Sequence, residues 1–438
     1  MRNYKIFSNL FGVGFTDNLE GTLELSRFNY FFEDPYTYYV FNAISESILS
    51  MRKENNVTLS EYILSTSSSF VDKAKMRVRN SSDDDDNLNF KASRVREISA
   101  RTLDINFLIT DFCNLACAGC FNASSKLITY SDEFGCVTRR VIRHEVESAR
   151  ALFHENSINR ISVSFSGGEP LLFVDRIAYV LDECNRMLSK CTVDYIVLTN
   201  GTLLTKGIVM NLSARGACRY YVSVDSTRCD FLGMSRNDYI NSLIDKMSMV
   251  YRITGLRPII RINVSDAVEQ KLFAEEIINL VCRLSASDFM TLSFSRWHNI
   301  DNMFDYYTIL PETINELYVN AINKKITCLW KWRDNIDKYM SCRKDSKNGT
   351  TIHPSGKKTL CPYENSAHMP LNPALRENCS KCCFLPICFG GCYFKRSYHS
   401  TECDYKMIST AIETHVFAKQ SLYSLNTDFR SDYNCHKK

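Results

Sequence analysis

Long apolar runs are missing from this chain of 438 residues. No stretch reaches the ~18 consecutive apolar residues that a membrane-spanning helix needs. A secretory start is missing too, because Met1 to Gly14 hold no continuous apolar segment after a basic opening. Charge of one sign is scarce: 53 Lys and Arg against 49 Asp and Glu leave a net charge of only +4. That argues against a nucleic-acid binder driven by phosphate contacts, and no membrane partner is expected. Beyond an alternation of strands and helices, no short-period repeat is found.

Cysteine, by contrast, is abundant, with 19 residues, and 45% of the chain is hydrophobic, enough for two or three domains each with a core. A disulfide framework is one reading of the cysteines. The length of the chain and its opening residues speak for the other, a reducing cytoplasm with thiols serving as metal ligands. The cysteines are also grouped. Cys113, Cys117 and Cys120 form C-x3-C-x2-C, and Cys342, Cys361, Cys379, Cys382, Cys388, Cys392 and Cys403 gather near the C-terminus.

Residues 1–80 mix strand-like and helix-like stretches. Residues 81–100 read as a linker, in which Asp83 to Asp86 follow Ser81-Ser82 either as a solvated run or as a grip on a basic partner peptide. Residues 101–300 alternate short apolar strands with longer helical patterns, 301–335 form a helical bridge, 336–410 are cysteine-rich, and 411–438 are a tail. Leu103 to Phe107 and Ile161 to Phe165 alternate as half-buried strands. Further strands are predicted at 193–198, 218–225, 258–264 and 289–294, and helices at 137–155 and 268–284. This order predicts an α/β fold with a parallel sheet and right-handed crossovers, in six units: an incomplete (β/α)6 TIM-like barrel with its chemistry at the C-terminal ends of the strands.

The candidate site residues fall at those ends. The cysteine triplet follows the first strand, and three close thiolates suit an iron–sulfur cluster. The second strand ends in Gly167-Gly168-Glu169, where paired glycines admit close approach to the backbone and Glu169 offers an acceptor for an ammonium group. The third and fourth strands end in Asn200 and in Ser223 to Asp225. Arg261 lies on the fifth, either salt-bridged within the fold or facing a carboxylate.

In their order these motifs resemble the radical S-adenosylmethionine (radical SAM) superfamily over about 200 residues. The resemblance implies that Cys113, Cys117 and Cys120 hold a [4Fe–4S] cluster whose open iron binds S-adenosylmethionine. It implies that Gly167, Gly168 and Glu169 hold the methionyl ammonium, that Asn200, Ser223 and Asp225 contact ribose or substrate, and that Arg261 pairs with the methionyl carboxylate. The reaction it implies starts with cleavage of the cosubstrate to a 5′-deoxyadenosyl radical, which removes hydrogen from an unactivated carbon. Gly119 departs from the family, which usually has an aromatic residue before the third cysteine; Phe121 follows it.

The seven C-terminal cysteines, with Gly356 between Cys342 and Cys361, resemble the SPASM extension of peptide-modifying radical enzymes; tetrahedral zinc is the alternative. The resemblance implies two auxiliary [4Fe–4S] clusters, three in all. Cys379, Cys382, Cys388 and Cys403 would hold the outer one, and Cys342, Cys361 and Cys392 the inner. Cys328 is the nearest candidate for the inner cluster's fourth ligand, unless that iron is open. Cys383 and the remaining cysteines (Cys136, Cys184, Cys191, Cys218, Cys229, Cys282 and Cys435) are expected to be spare, mostly buried thiols.

In the N-terminal region, Tyr38 to Leu49 reads as a strand running into a helix, and 57–64 as a second helix with Thr58 and Glu61 in a capping box. This order loosely resembles small winged domains that bind leader peptides, so the region is expected either to add a precursor peptide as a strand or to pack as an extension of the barrel. The expected function is a peptide maturase that cross-links side chains of a ribosomally made precursor. Thioether formation and formylglycine-generating sulfatase maturation are the enzymatic alternatives, and an electron carrier the non-catalytic one. A precursor peptide and an electron donor such as flavodoxin or ferredoxin are the expected partners.

Overall fold

The structure is a computed structural model. It describes residues 24–33, 37–45, 47–52, 77–78, 83–90, 101–115, 117, 135–155, 158, 160–189, 191–264, 268–296, 311–328, 349–359, 379, 382–388, 408–409, 412–413 and 416. The chain forms two compact units. One comprises residues 1–97, 335–342 and 370–413, and the other residues 98–334, 343–369 and 414–438.

In the first unit a short pair, β1 (Glu24–Leu25) with β5 (Arg77–Val78), accompanies a three-stranded antiparallel sheet of β2 (Asn29–Glu33), β3 (Thr37–Asn42) and β4 (Ser47–Arg52) in the order 2-3-4. Aromatic and β-branched residues favour strands here. Tyr30, Phe32, Tyr39 and Phe41 are buried, and so are Phe31 and Val40 on the alternate positions, so the sheet is covered on both faces. Tyr30 packs against Phe384 with ring centroids 4.8 Å apart, and its hydroxyl donates to Glu413. Phe384 of the cysteine-rich segment thus packs onto the N-terminal sheet.

Two expectations are corrected in this unit. The helix predicted after Tyr38 is the strand β4, with Val40 paired to Leu49 and Phe41 to Ile48. Asn42 causes the reversal, because its Oδ1 accepts from the backbone N–H of Ile44 (3.1 Å) and of Ser45 (3.0 Å) and closes a turn. The aspartate run lies on a helix, α1 (residues 83–90), and is not uniformly solvated. Asp84 is 5% exposed, accepts from Ser26 Oγ at 2.6 Å and from the Arg27 backbone at 2.7 Å, and has its pKa raised by burial. The predicted helix at 57–64 lies outside the described residues.

The second unit carries the parallel sheet. Strands β6 (Thr102–Thr110), β7 (Arg160–Gly167), β8 (Thr192–Thr199), β9 (Cys218–Val224), β10 (Ile259–Val264) and β11 (Thr291–Arg296) lie side by side in sequence order. The helices between them are α2 (Arg139–Glu155), α3 (Val174–Met187), α4 (Lys206–Ser213), α5 (Thr227–Leu232), α6 (Arg236–Thr254) and α7 (Val268–Arg283); α8 (Pro311–Asn323) follows β11. This is the partial TIM-like barrel expected. One face of the sheet is aliphatic and aromatic, with Phe107, Phe165, Val197, Val222, Ile260 and Ile262 all fully buried. The other face is polar: Ser164 Oγ and Ser166 Oγ both donate to Asn106 Oδ1 at 2.9 Å. Crossovers of one hand place the helices on the apolar face and leave the polar face as the inner one.

The sheet is extended on its β6 side. Strand β12 (Gly349–Ile352) pairs with β6 in parallel, and β13 (Lys358–Thr359) turns back on β12 through Gly356, whose φ of +81° favours glycine. Lys358 Nζ meets the buried Glu145 carboxylate of α2 at 2.7 Å. Among the cysteines without motifs, Cys136, Cys184, Cys218 and Cys229 are buried as expected. Cys282 is exposed and Cys191 only half-buried, because they sit on an outer helix face and in a surface turn. Cys435 lies outside the described residues. Among those described, no helix is long and apolar enough to cross a membrane.

Candidate active site at the C-terminal ends of the strands

Cys113 and Cys117 follow β6 directly, and both are half-buried. The chain leaves the strand under firm control. Thr110 Oγ1 donates to Gly135 O at 2.7 Å and accepts from the Phe112 backbone at 3.0 Å, while the Asp111 backbone N–H donates to Gly135 O at 3.0 Å. The cysteine loop then crosses the end of β7. The backbone N–H of Gly168 donates to Thr110 O and that of Glu169 to Phe112 O, both at 2.7 Å. A Cβ on Gly168 would stand 1.9 Å from Phe112 O, and one on Gly167, with φ +128°, 2.2 Å from Thr110 O. The paired glycines predicted to admit a ligand therefore admit, first of all, the backbone of the cysteine loop.

Glu169 is engaged within the chain. Its carboxylate is fully buried and already bonded. Oε1 accepts from the Leu171 backbone (3.0 Å) and Thr199 Oγ1 (2.7 Å), and Oε2 from the Asn200 backbone (2.7 Å). Burial raises its pKa against the pull of those three bonds and of Arg228. Glu169 ties the end of β7 to that of β8 and caps the turn Pro170–Phe173.

Asn200 is the hub of the site. Its Nδ2 donates to Asn114 Oδ1 at 2.9 Å and lies 3.8 Å from Cys113 Sγ; its Oδ1 accepts from the Thr202 backbone (2.9 Å) and hydroxyl (2.6 Å). Asn114 Nδ2 closes a ring by donating to Thr202 Oγ1 at 2.8 Å. The backbone N–H of Leu115 also points to Cys113 Sγ, at 3.4 Å. Below the next loop Lys246 Nζ donates to Gly201 O at 2.9 Å, with its pKa lowered by burial.

Ser223 and Arg261 are register neighbours on β9 and β10, on the inner face and half-buried. Asp225 is 2% exposed and spent on local partners: Oδ1 accepts from the Thr227 backbone and hydroxyl, and Oδ2 from Arg228 Nε at 3.0 Å. Arg228 is the residue that sequence reasoning missed. It is 5% exposed, and its Nη1 donates to Asn200 O at 2.8 Å. Burial alone would lower its pKa, but Tyr239, Asp225 and Cys117 outweigh that and raise it. The available signal was the spacing of Asp225 and Arg228, one helical turn apart just past a strand end.

Cys120 lies outside the described residues, as do Cys342, Cys361, Cys392 and Cys403. Among those described, no group of three metal-binding side chains is complete. What is described fits an iron–sulfur cluster at the first site: two thiols at a strand end, N–H groups aimed at one sulfur, a buried cation near the other. In the other unit Cys379 is buried, and Cys382 has its thiol pulled down to about 7. Cys383 and the backbone N–H groups of Phe384 and Leu385 bond it, against the opposing effect of burial. A readily formed thiolate suits a metal ligand. Cys383, expected to be spare, is a buried partner of that thiol. Cys328 forms a bridge to Leu292 near the start of β11, the sheet end opposite Cys113, and burial raises its thiol to about 12.

The fold and site define a partial parallel barrel with a cysteine loop at its catalytic end. Residues 107–253 match the family model described as the radical SAM superfamily, so the chain contains a domain of that superfamily, which implies a [4Fe–4S] cluster and S-adenosylmethionine. The solved structure of native anSMEcpe with bound AdoMet and Cp18Cys peptide shares the fold: TM-score 0.51 at 16% identity, covering 74% of this chain and 98% of that one. The AdoMet-dependent heme synthase of Methanosarcina barkeri is 34% identical over 130 residues, 29% of this chain and 33% of that protein. An uncharacterized protein of Methanocaldococcus jannaschii is 29% identical over 102 residues, 23% of this chain and 31% of that protein. The chain spans about a third of the length of these curated relatives.

Proposed function

We propose that the protein is a radical SAM peptide maturase that cross-links side chains of a ribosomally made precursor. The observation that carries the radical chemistry is the Cys113 loop locked onto the Gly167-Gly168-Glu169 turn at the C-terminal end of the sheet. The peptide substrate is supported by the second thiol group, at Cys379 and Cys382, and by the fold shared with a protein whose structure holds AdoMet and a peptide.

Cys113, Cys117 and Cys120 would hold the first [4Fe–4S] cluster. When bound, that cluster and S-adenosylmethionine supply hydrogen-atom abstraction from an unactivated carbon. The chain's own residues set the geometry. The N–H of Leu115 and the Asn200 amide stabilise negative charge on Cys113 Sγ. The turn at Gly167 and Gly168 would receive the methionyl ammonium through backbone carbonyls, because the Glu169 carboxylate is buried and bonded. Ser223 and Arg261, side by side on the inner face, would meet the ribose and the methionyl carboxylate. Asn200 and Asp225 act on the loops rather than on the cosubstrate. The polar inner face at Asn106, Ser164 and Ser166 would line the substrate's approach.

Toward the C-terminus Cys379, Cys382, Cys388 and Cys403 would hold one auxiliary cluster, and Cys342, Cys361 and Cys392 a second. There they would take up the electron left when a cross-link closes, or pass electrons in from a flavodoxin or ferredoxin. The N-terminal sheet would present the leader peptide. The test is anaerobic incubation with the candidate precursor followed by mass spectrometry. A cross-link removes two hydrogens: one to 5′-deoxyadenosine, one as a proton with its electron going to the acceptor. A product that keeps its mass, or gains oxygen, overturns the cross-linking assignment.

A further inference from the structure

Arg228 has no place in the site as read from the sequence, yet it is one of the most buried charged groups of the barrel unit. It stands on the first turn of α5 and makes two bonds at two strand ends: Nε to Asp225 Oδ2 just past β9 (3.0 Å), and Nη1 to the carbonyl of Asn200 just past β8 (2.8 Å). The same Asn200 carries Glu169 on its backbone N–H and reaches Asn114 and Cys113 Sγ with its side chain. One guanidinium therefore holds the peptide unit from which the cysteine loop is braced. A planar fork with several donors can bond two acceptors from different strands at fixed angles; an ammonium on a flexible stem cannot hold both as well.

The charge matters as much as the fork. A buried guanidinium is permanently positive and is screened little by water. The Asp225 carboxylate opposes that charge at Nε, while Nη1 is directed at the Asn200 carbonyl beneath the cysteine loop. A bound iron–sulfur cluster is anionic through its thiolates, and nearby positive charge favours its reduced form.

We propose that Arg228 is the positioning cation of the radical site: it fixes Asn200 beneath the cysteine loop and raises the reduction potential of the cluster held by that loop. The inference rests on the assignment of Cys113, Cys117 and Cys120 as cluster ligands, and it is tested separately from catalysis. Wild type, R228K, R228Q and D225N are reconstituted anaerobically. Iron and sulfide are counted, and the midpoint potential of the AdoMet-responsive signal is measured by redox titration followed by electron paramagnetic resonance.

R228Q is expected to keep its iron but titrate at a more negative potential. D225N, which leaves the cation unbalanced, is expected to shift the potential the other way. R228K should sit near wild type in potential and show a broadened signal from a less firmly held loop. Equal potentials in wild type, R228Q and D225N, with clusters intact, overturn the proposal and leave Arg228 a packing residue. If R228Q fails to fold, the sign of the D225N shift decides: a positive shift supports the proposal, none or a negative one overturns it. A wild-type chain with no AdoMet-responsive cluster signal would contradict the cluster assignment itself, a result distinct from either.

Discussion

The two units present thiols by different physical means. In the barrel unit the Cys113 loop is placed by atoms that leave no slack: backbone carbonyls crossing where a Cβ on Gly167 or Gly168 would stand, and a buried polar network running from Glu169 through Asn200 to Arg228. In the other unit Cys379 and Cys382 lie beside Phe384, which packs on Tyr30 of a sheet buried on both faces. The first thiol site is positioned by hydrogen bonds and glycine clearances; at the second, the hydrogen bonds to Cys382 are backed by apolar volume around Phe384. The first should fail to single-atom changes and the second to loss of bulk.

The largest expected effect tests that contrast from the barrel side. Gly168→Ala puts a methyl group where Phe112 O stands 1.9 Å away, so the cysteine loop must move off the end of β7. Release of 5′-deoxyadenosine should fall to background and about four irons per chain should be lost, with the irons of the cysteine-rich segment retained. Full activity in this variant would show that the close crossing is not needed.

Phe384→Ala tests the other side. Removing a fully buried aromatic ring should cost about 3–5 kcal/mol, read as a lower denaturation midpoint in the unit that contains it. Iron held at Cys379 and Cys382 should fall, while cleavage of S-adenosylmethionine without peptide should persist. If both sites lost iron together, the separation drawn between the units would fail.

The smallest effect is a pH dependence. The Cys382 thiol is drawn from an ordinary 9.0 to about 7 in the folded chain. A depressed acid pKa stabilises the fold where the group is ionised in both states, above about 9, and that contribution disappears as pH falls through about 7. The metal-free chain should therefore lose stability between pH 9 and 7, and Cys382→Ser should flatten that slope in thermal melts. An unchanged slope would mean that the N–H groups of Phe384 and Leu385 do not stabilise the thiolate.

Much of the barrel was legible because its strands alternate and its helices repeat: Leu103 to Phe107 and Ile161 to Phe165 lie within β6 and β7. What escaped was non-local. Strand β12 has four residues and no period of its own, and becomes a strand only by pairing with β6 some 250 positions earlier. The chain beyond Tyr38 becomes the strand β4 and not the expected helix, because the Asn42 turn reverses it against β3. The cysteines and glycines were visible as residue types, but what the glycines accommodate was not, since the backbone of Phe112 reaches Gly168 only through the fold. The bonds that Glu169 and Asp225 make within the chain were not legible, because a carboxylate at a strand end shows its charge and not its partners. Arg228 went unread for the same reason, its bonds being made to the ends of two strands.

The central claim is that the Cys113 loop and the Gly167-Gly168-Glu169 turn form a working radical SAM site. The most direct measurement is anaerobic reconstitution with iron and sulfide, an iron count, and assay of 5′-deoxyadenosine after addition of dithionite and S-adenosylmethionine, in wild type and in Cys113→Ala. The account predicts about twelve irons per wild-type chain and release of 5′-deoxyadenosine, with about four irons and all release lost in the variant. An iron-loaded, reduced wild-type chain that releases no 5′-deoxyadenosine, or a Cys113→Ala chain that still does, would contradict it.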